Sequence, residues 1–190
     1  MNHDFTPYTL HPIFYRMHPI LEKLKGGDLR SIGRANEVVR QVLRTPALLG
    51  ELFKGMRSGD ARVRMRAADA AEKVTAQRPD LLQPFKRSLL NTIAKIDQQE
   101  VRWHVAQMIP RLHLTPTERV RAVGILFAYL SLKSKIVRTF ALQALVSLSY
   151  HDPELRKRVI KVLRQVIESG SPALKARGRK FLEQIRRFTQ

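Results

Sequence analysis

The sequence predicts an all-α protein, an α-solenoid of about five antiparallel helical hairpins, from two periodic patterns and the composition. An apolar helical pattern starts at residue 63 and recurs at intervals of 38, 36 and 37 residues. Candidate helix caps recur independently at intervals of 35, 35 and 37 residues. The 190 residues, 44% of them hydrophobic, suffice for one sizeable core, and the period indicates an elongated core rather than two globular domains.

Five apolar positions define the repeated pattern, at offsets of 0, 4, 7, 8 and 11 residues from its start. This spacing places one apolar stripe along one face of a helix. The four clear copies are Val63, Ala67, Ala70, Ala71, Val74; Val101, Val105, Met108, Ile109, Leu112; Val137, Ala141, Ala144, Leu145, Leu148; and Leu174, Gly178, Phe181, Leu182, Ile185. A copy that starts at Ser31 fits at four of five positions, which is typical of a terminal repeat because one of its faces meets water.

We expect residues 1–190 to form a single domain. It consists of a lead-in at 1–10, a diverged first repeat at 11–44, and repeats at about 45–78, 79–114, 115–151 and 152–188. Pro12 and Pro19 predict that the first helix begins at one of them or bends between them. The second helix is predicted from about residue 29 to residue 43.

Side-chain caps followed by proline predict where first helices of the later repeats begin. The cap-proline pairs are Thr45-Pro46, Thr115-Pro116 and Asp152-Pro153. Glu118 completes a capping box with Thr115, and Asp80 is expected to cap a helix that runs through Ala94. Pro110 lies late in a predicted helix and should bend that helix or end it early.

A short turn followed by Val-Arg and an Ala-rich helix resembles the HEAT repeat. The matching segments are 60–70, 100–106 and, with Ile-Val-Arg, 135–144, and the resemblance covers roughly residues 46–188. It implies the fold and is nearly silent on function. In HEAT repeats the basic residue after the valine usually bonds the turn, so the resemblance implies a structural role for Arg64, Arg102, Arg138 and Lys175.

Charge is the strongest indication of function. Thirty-five Lys and Arg against 16 Asp and Glu give a formal net charge of +19. The excess grows along the chain, from +3 over residues 1–50 and +4 over 51–110 to +5 over 111–150 and +7 over 151–190. Such a field attracts polyanions, so we expect a nucleic acid or an acidic protein as partner. The simpler explanation of this excess charge is that it serves solubility alone.

The composition also bears on location. The chain has no cysteine, which excludes disulfides and thiolate chemistry and suits a reducing compartment, so we expect a cytoplasmic protein. No apolar run approaches the ~20 residues of a membrane span, and we expect no secretory signal at the N-terminus. The oligomeric state stays open.

The second helix of each repeat is expected to line the concave face, as in HEAT-like solenoids. The predicted polyanion-binding groove consists of Arg34, Arg66, Lys73, His104, Gln107, Arg111, Gln143, Arg177 and Lys180. Spaced Arg and Lys side chains with amide donors can follow a phosphate backbone, although exposed helix positions favour these cations for helix propensity alone. Phe140 and Trp103 are candidates for stacking, but a single Trp at this position more often packs against the neighbouring repeat.

The chain is also similar in size, helix content and charge to the HEAT-like alkylpurine DNA glycosylases. That family uses groove tryptophans and an aspartate four residues after one of them, whereas Trp103 is followed there by Gln107, which lacks the carboxylate's charge. No nucleophile–base set, P-loop or dinucleotide motif is present, and His104 and His113 have no acidic residue at ligand spacing. We therefore expect no enzymatic activity, no metal and no cofactor.

Three functions stay open at this point. We favour a non-enzymatic module whose basic groove docks a polyanion. The second is a protein–protein scaffold that is insensitive to salt, since solenoids present extended surfaces to peptides and domains. The third is a DNA-lesion-binding protein related to the glycosylases.

Overall fold

The computed structural model describes residues 17–188, and this range consists of helices and turns without a strand. Its α-helices are α1 (Pro19–Glu22), α2 (Ala35–Arg44), α3 (Leu49–Gly55), α4 (Ala61–Gln77), α5 (Lys86–Asn91), α6 (Gln99–Met108), α7 (Pro116–Leu130), α8 (Lys135–Ser149), α9 (Pro153–Ser169) and α10 (Pro172–Phe188). Short 3₁₀ segments are Pro46–Leu48, Pro79–Phe85, Ile93–Lys95 and Ile109–Arg111. The predicted lead-in at 1–10 and the start of the predicted repeat 11–44 lie outside the described residues.

The helices follow one another as five pairs, from α1 and α2 to α9 and α10, and adjacent pairs stack. The second helices form a continuous row in which α2 packs on α4, α4 on α6, α6 on α8 and α8 on α10. On the other side of the stack, α1 packs on α3 and α5 packs on α7. This stacking of helical pairs is an α-solenoid, as the sequence predicts.

The repeated apolar positions form the core. All five positions of α4, from Val63 to Val74, have no exposed surface, and those of α6 with its following turn and of α8 are at most 8% exposed. In α10 only Gly178, Phe181 and Ile185 are buried, whereas Leu174 and Leu182 are half-buried. The stripe of α10 is less covered because, within the described range, α8 and α9 pack on it and no later helix does.

The first pair is shorter than predicted. The first helix begins at Pro19, the second of the two candidate prolines, and His18 Nδ1 accepts a hydrogen bond from the Ile20 N–H at 3.2 Å. The second helix begins at Ala35, which corrects the predicted range 29–43. Gly33 has φ of +52°, a left-handed conformation that suits a loop glycine and interrupts a helix, so the chain before Ala35 forms a loop.

The caps of α7 and α9 are confirmed. Thr115 and Glu118 form the capping box at the start of α7 through both of its hydrogen bonds. The Asp152 carboxylate accepts a hydrogen bond from the Leu155 N–H at 2.9 Å at the start of α9. Both satisfy amide donors that have no partner inside the helix.

The two other predicted caps are not formed. Thr45 makes no side-chain cap bond, because Pro46 starts a 3₁₀ turn that leads into α3. Asp80 lies inside the 3₁₀ segment Pro79–Phe85, and the helix expected through Ala94 is reduced to α5. Pro84 lies inside that segment and has no N–H to donate to a longer helix. The early end predicted at Pro110 is confirmed, because α6 ends at Met108 and a 3₁₀ turn follows.

Candidate functional site

The row of second helices, α2, α4, α6, α8 and α10, carries the predicted groove residues in chain order. Arg34 immediately precedes α2, and Arg111 lies in the 3₁₀ turn after α6. The others lie within α4, α6, α8 and α10. The structure therefore brings these positions into one row, but their burial and their partners differ.

Arg66 is a core residue and not a groove residue, which corrects the prediction. Its side chain is 1% exposed. The guanidinium donates hydrogen bonds to the carbonyl oxygens of Leu24, Gly26, Asp28 and Ser31 at N···O distances of 2.6 to 2.9 Å. These bonds fasten the loop between α1 and α2 onto α4 and satisfy carbonyls that no helix satisfies.

The glycines of that loop explain how it reaches Arg66. Gly26, Gly27 and Gly33 all have positive φ, which glycine adopts without strain. A Cβ atom on Gly33 would lie 3.0 Å from Arg66 Cζ, so the backbone approaches the guanidinium more closely than a larger residue allows. The buried arginine and the glycine loop therefore form one structural unit.

Lys73 and Arg111 are paired with acidic residues of their own row. Lys73 Nζ lies 2.8 Å from Asp69 Oδ2 and 3.0 Å from Asn36 Oδ1. Arg111 donates to the Glu72 carboxylate and, at 2.9 Å, to the Glu72 carbonyl oxygen. Both cations are thus neutralised within the protein, which corrects their interpretation as free phosphate contacts.

Arg34 is exposed but also paired. Its Nε lies 2.7 Å from Glu37 Oε2. The hydrogen bonds from Arg34 and Lys23 lower the pKa of Glu37 to about 2, so the carboxylate is fully ionised at neutral pH. An incoming anion would have to compete with Glu37 for Arg34.

His104 is buried, which corrects its placement in an exposed groove. Only 8% of the residue is exposed, and burial lowers its pKa to about 4, against the opposing effect of the Asp69 and Glu72 carboxylates. The imidazole is therefore neutral at pH 7 and contributes no positive charge.

Three of the predicted groove residues and the stacking candidate Phe140 do meet at one place. Gln107 and Arg111 from the α6 side and Phe140 and Gln143 from α8 line a cavity of about 190 Å³ between these two helices. We call it the amide cavity. Gln107 and Gln143 occupy equivalent positions one repeat apart, and each carboxamide offers two donors and an acceptor.

Trp103 does not line the amide cavity. It is half-buried against the core, and its ring lies edge-on to His104 with 5.4 Å between the ring centroids. This agrees with the packing role that the sequence favours for a single tryptophan at this position. Gln107 donates to the Trp103 carbonyl oxygen at 3.4 Å.

Arg177 and Lys180 are the predicted cations that remain free of carboxylates. Both are exposed on α10. Arg177 Cζ lies 5.9 Å from the centre of the Phe181 ring, and neither side chain makes an ion pair with a described residue. Only these two of the predicted cations offer unneutralised charge on the row.

Other free cations of the last two pairs were not predicted as site residues. They are Lys133, Lys135, Arg138, Lys161, Arg164 and Arg179, none of which has a partner among the described residues. For Lys133, Lys135 and Arg138 the sequence contains a signal, because no Asp or Glu occurs between residues 119 and 151. Net charge per segment hides this signal, since it does not distinguish paired from unpaired cations.

The Val-Arg positions behave as the HEAT resemblance implies at three of four places. Arg64 donates to the Ser58 carbonyl oxygen at 2.8 Å, Arg102 pairs with Asp97 at 2.8 Å, and Lys175 donates to the Glu168 carbonyl oxygen at 2.8 Å. Arg138 makes no such bond within the described range, which corrects its structural role. Its turn, Leu132–Ser134, contains no carboxylate to receive it.

Residues 17–188 contain neither a grouped set of metal ligands nor a membrane-spanning helix. Within them, no three His, Asp or Glu side chains are grouped so that they could hold a metal ion. No helix of this range is long and apolar enough to cross a membrane.

Comparisons with known proteins show the fold. The chain matches no protein-family model and no curated protein sequence. It is similar to computationally designed armadillo repeat proteins for modular peptide recognition, at 15% identity and a TM-score of 0.61, over 87% of this chain and 80% of that one. A designed armadillo repeat protein in complex with the peptide (KR)4 is similar at 15% identity and a TM-score of 0.59, over 88% and 80% of the two chains. These likenesses support a helical-repeat solenoid; the finer resemblance to HEAT repeats stays a prediction.

Proposed function

We propose that the protein is a non-enzymatic binding scaffold that holds an extended acidic polypeptide segment along the row of second helices, from the amide cavity to α10. One observation carries the proposal: the predicted groove cations of the first three pairs, Arg34, Arg66, Lys73 and Arg111, are bonded within the protein, whereas Arg177 and Lys180 are free. Free cations concentrated in one part of a surface attract an anionic partner to that part.

The amide cavity favours a polypeptide over a nucleic acid. A peptide backbone offers both N–H donors and carbonyl acceptors, and Gln107 and Gln143 can satisfy both kinds. A phosphate backbone takes donors only, so half of that capacity would be unused. Phe140 in the same cavity provides an apolar contact for a side chain of the segment.

The fold neighbours support this mode of binding. One of them is described as designed for peptide recognition and another is in complex with a basic peptide, (KR)4. The present chain should instead bind a peptide of negative charge, because its own net charge is +19. An acidic segment is the partner that its surface complements.

A nucleic acid remains the second candidate, and the density of free cations on both helices of the last pair favours it. Residues 151–190 contain eleven Lys and Arg against four Asp and Glu. Phosphate contacts are recognised by a steep loss of affinity with salt, with a slope of about −0.9 for each neutralised phosphate of a duplex.

Fluorescence anisotropy with four labelled probes tests the proposal: a peptide of alternating Glu and Ser, the same peptide with Gln for Glu, a single-stranded DNA and a duplex DNA. We expect the Glu peptide to bind and the Gln peptide to bind much more weakly. Tighter binding of DNA than of the Glu peptide at equal salt would favour the second candidate. Binding of both peptides with equal affinity would indicate a scaffold that does not use charge.

Two double variants test whether the Glu peptide binds at Arg177 and Lys180. Arg177→Gln combined with Lys180→Gln should weaken binding of the Glu peptide about tenfold at low salt, because two exposed ion pairs are lost. Arg57→Gln combined with Arg87→Gln removes the same charge from exposed, unpaired positions outside the row and is the control. Equal losses in the two double variants would show attraction by net charge alone. Gln143→Ala tests the amide cavity and should weaken the Glu peptide without changing the salt dependence.

A further inference from the structure

A larger cavity lies outside the proposed peptide surface, at the joint between the α7–α8 pair and the α9–α10 pair. We call it the joint cavity. Its volume is about 490 Å³, within the range of about 300–1,000 Å³ that is typical of small-molecule sites. Apolar side chains from all four helices line it, among them Phe127, Leu142, Val166 and Leu174. The turns of both pairs form its rim.

Two cations lie in the wall of the joint cavity, and no carboxylate does. Lys135 and Arg138 are its only charged lining residues in the described structure. Neither side chain makes a hydrogen bond or an ion pair with a described residue. A half-buried guanidinium beside an apolar wall, with a second cation close by, favours a ligand that brings a negative charge.

The preceding repeats show that this arrangement is particular to the last joint. In the second pair, Arg64 bonds the Ser58 carbonyl oxygen and, at 2.7 Å, the amide oxygen of Gln98 from the next turn. In the third pair, Arg102 has the Asp97 carboxylate. At Arg138 the next turn offers Ser171 where Gln98 stood, and this shorter side chain leaves the guanidinium open to the cavity.

We propose that the joint cavity binds a small amphipathic carboxylate, an apolar chain that ends in one carboxylate group. The carboxylate accepts hydrogen bonds from Arg138, whose planar guanidinium suits bidentate binding, and from Lys135. The chain lies against Phe127, Val166 and Leu174. Phosphate alone would leave this apolar wall in water, and an apolar molecule alone would leave the two cations without an acceptor.

Calorimetric titration of the full chain with decanoate tests the proposal, with hexanoate and decyltrimethylammonium as companions. We expect decanoate to bind with one-to-one stoichiometry. Hexanoate should bind on the order of 100-fold more weakly, because each buried methylene contributes about fourfold in affinity. Decyltrimethylammonium has the same chain and the opposite charge, and it should not bind. Methyl NMR shifts on decanoate binding should be confined to Leu142, Val166 and Leu174 and their neighbours.

Arg138→Gln should weaken decanoate binding at least about tenfold, because a charge-assisted hydrogen bond is lost. It should leave the melting temperature nearly unchanged, since Arg138 bonds nothing in the described structure. Arg179→Gln removes one exposed cation of α10 outside the joint cavity and should bind decanoate as the unaltered protein does. Equal binding of decanoate and decyltrimethylammonium, equal effects of the two variants, or no decanoate binding would each overturn the proposal. Because neither Arg177 nor Lys180 lines the joint cavity, these results do not depend on whether the acidic peptide binds.

Discussion

The first three helical pairs and the last two use the same kinds of residue in different ways. In the first three, Arg66 is bonded to carbonyl groups, and Lys73 and Arg111 are bonded to carboxylates. After residue 118 the chain has sixteen Lys and Arg but only four Asp and Glu, and many cations have no partner. The predicted groove cations of the first region therefore stabilise the fold, whereas those of the second region, Arg177 and Lys180, stay available for binding.

The first region is also more completely packed than the second. The apolar stripe of α4 is fully buried, whereas that of α10 is covered only in part. Residues of the first region are therefore held by the core and by polar bonds together. The last pair depends on fewer apolar contacts and carries like charges that repel one another. Substitutions in the two regions should have different consequences, and the following predictions start from the largest.

Arg66→Met should cause the greatest loss, about 3–5 kcal/mol in the free energy of unfolding, because several buried carbonyl groups lose their donor at once. Urea denaturation measures it. Arg177→Met makes the same change on the exposed face of α10 and should stay within about 0.5 kcal/mol of the unaltered protein. Similar losses for both variants would contradict the distinction between the two regions.

Acid should destabilise the first region through His104. Burial lowers its folded pKa to about 4, below the unfolded value of 6.5, so the unfolded chain binds the proton more readily between these values. The free energy of unfolding is therefore retained above pH 6.5 and falls by up to about 3 kcal/mol as the pH falls toward 4. Glu37 and Asp60 have pKa values lowered to about 2 from ordinary values of 4.5 and 3.8, so their losses begin at the acid end of this window and continue below it.

His104→Phe should flatten the pH dependence between pH 6.5 and 4, measured as urea-unfolding free energy at several pH values. His151→Phe is the matched control in the second region, because His151 is exposed. It should leave the slope as it is in the unaltered protein. An unchanged slope in His104→Phe would show that other groups titrate in this window.

The sequence predicts the architecture well because the repeated stripe is a local property. Offsets counted along one helix already specify which residues meet the core, as the full burial of Val63, Ala67 and Val74 shows. The capping box of Thr115 is local in the same way, since its partner lies three residues later. Proline and glycine limit this success, as at Gly33 and Pro84, where the helix gives way to a loop and a 3₁₀ segment.

The site is harder to predict because helical position does not determine a long side chain's partners. Arg66 and Lys73 both occupy expected exposed columns, yet Arg66 reaches a loop about 40 residues earlier in the chain and Lys73 reaches Asn36. Such contacts depend on how one pair sits on the next. Gln107 and Gln143, which are short, lie on the surface that the register predicts. Arg138 could have been recognised only from the missing carboxylate in its turn.

Thr115 and Thr45, which both precede a proline, allow the cap in the second region to be compared with the uncapped turn in the first. The expected effect on stability is smaller than those above. Thr115→Ala should lower the free energy of unfolding by about 1 kcal/mol, because the α7 cap loses its acceptor. Thr45→Ala changes the same motif in the first region, where no cap bond is formed, and should stay within about 0.5 kcal/mol. Thermal and urea unfolding measure both. Equal effects would mean that the motif acts through the unfolded chain rather than through the cap.

The smallest predicted effect comes from a Lys→Glu substitution that should change the free energy of unfolding in opposite directions in the two regions. It tests directly whether their cations differ in pairing. Lys161 on α9 has Lys157, Arg158 and Arg164 as its helical neighbours three or four residues away. Lys161→Glu should therefore raise the free energy of unfolding by about 0.5 kcal/mol at low salt, since like charges become opposite ones. Lys54→Glu on α3 breaks the ion pair with Glu51 and should lower it by a similar amount.

Salt should remove both effects, because the Debye length falls to about 3 Å at 1 M ionic strength. Unfolding free energies of the two variants, measured at low and high salt, therefore converge on that of the unaltered protein. A loss in Lys161→Glu at low salt would show that Lys161 is stabilised by its surroundings, which would contradict repulsion among the cations of α9. A gain that persists in 1 M salt would instead indicate helix propensity or packing as its origin.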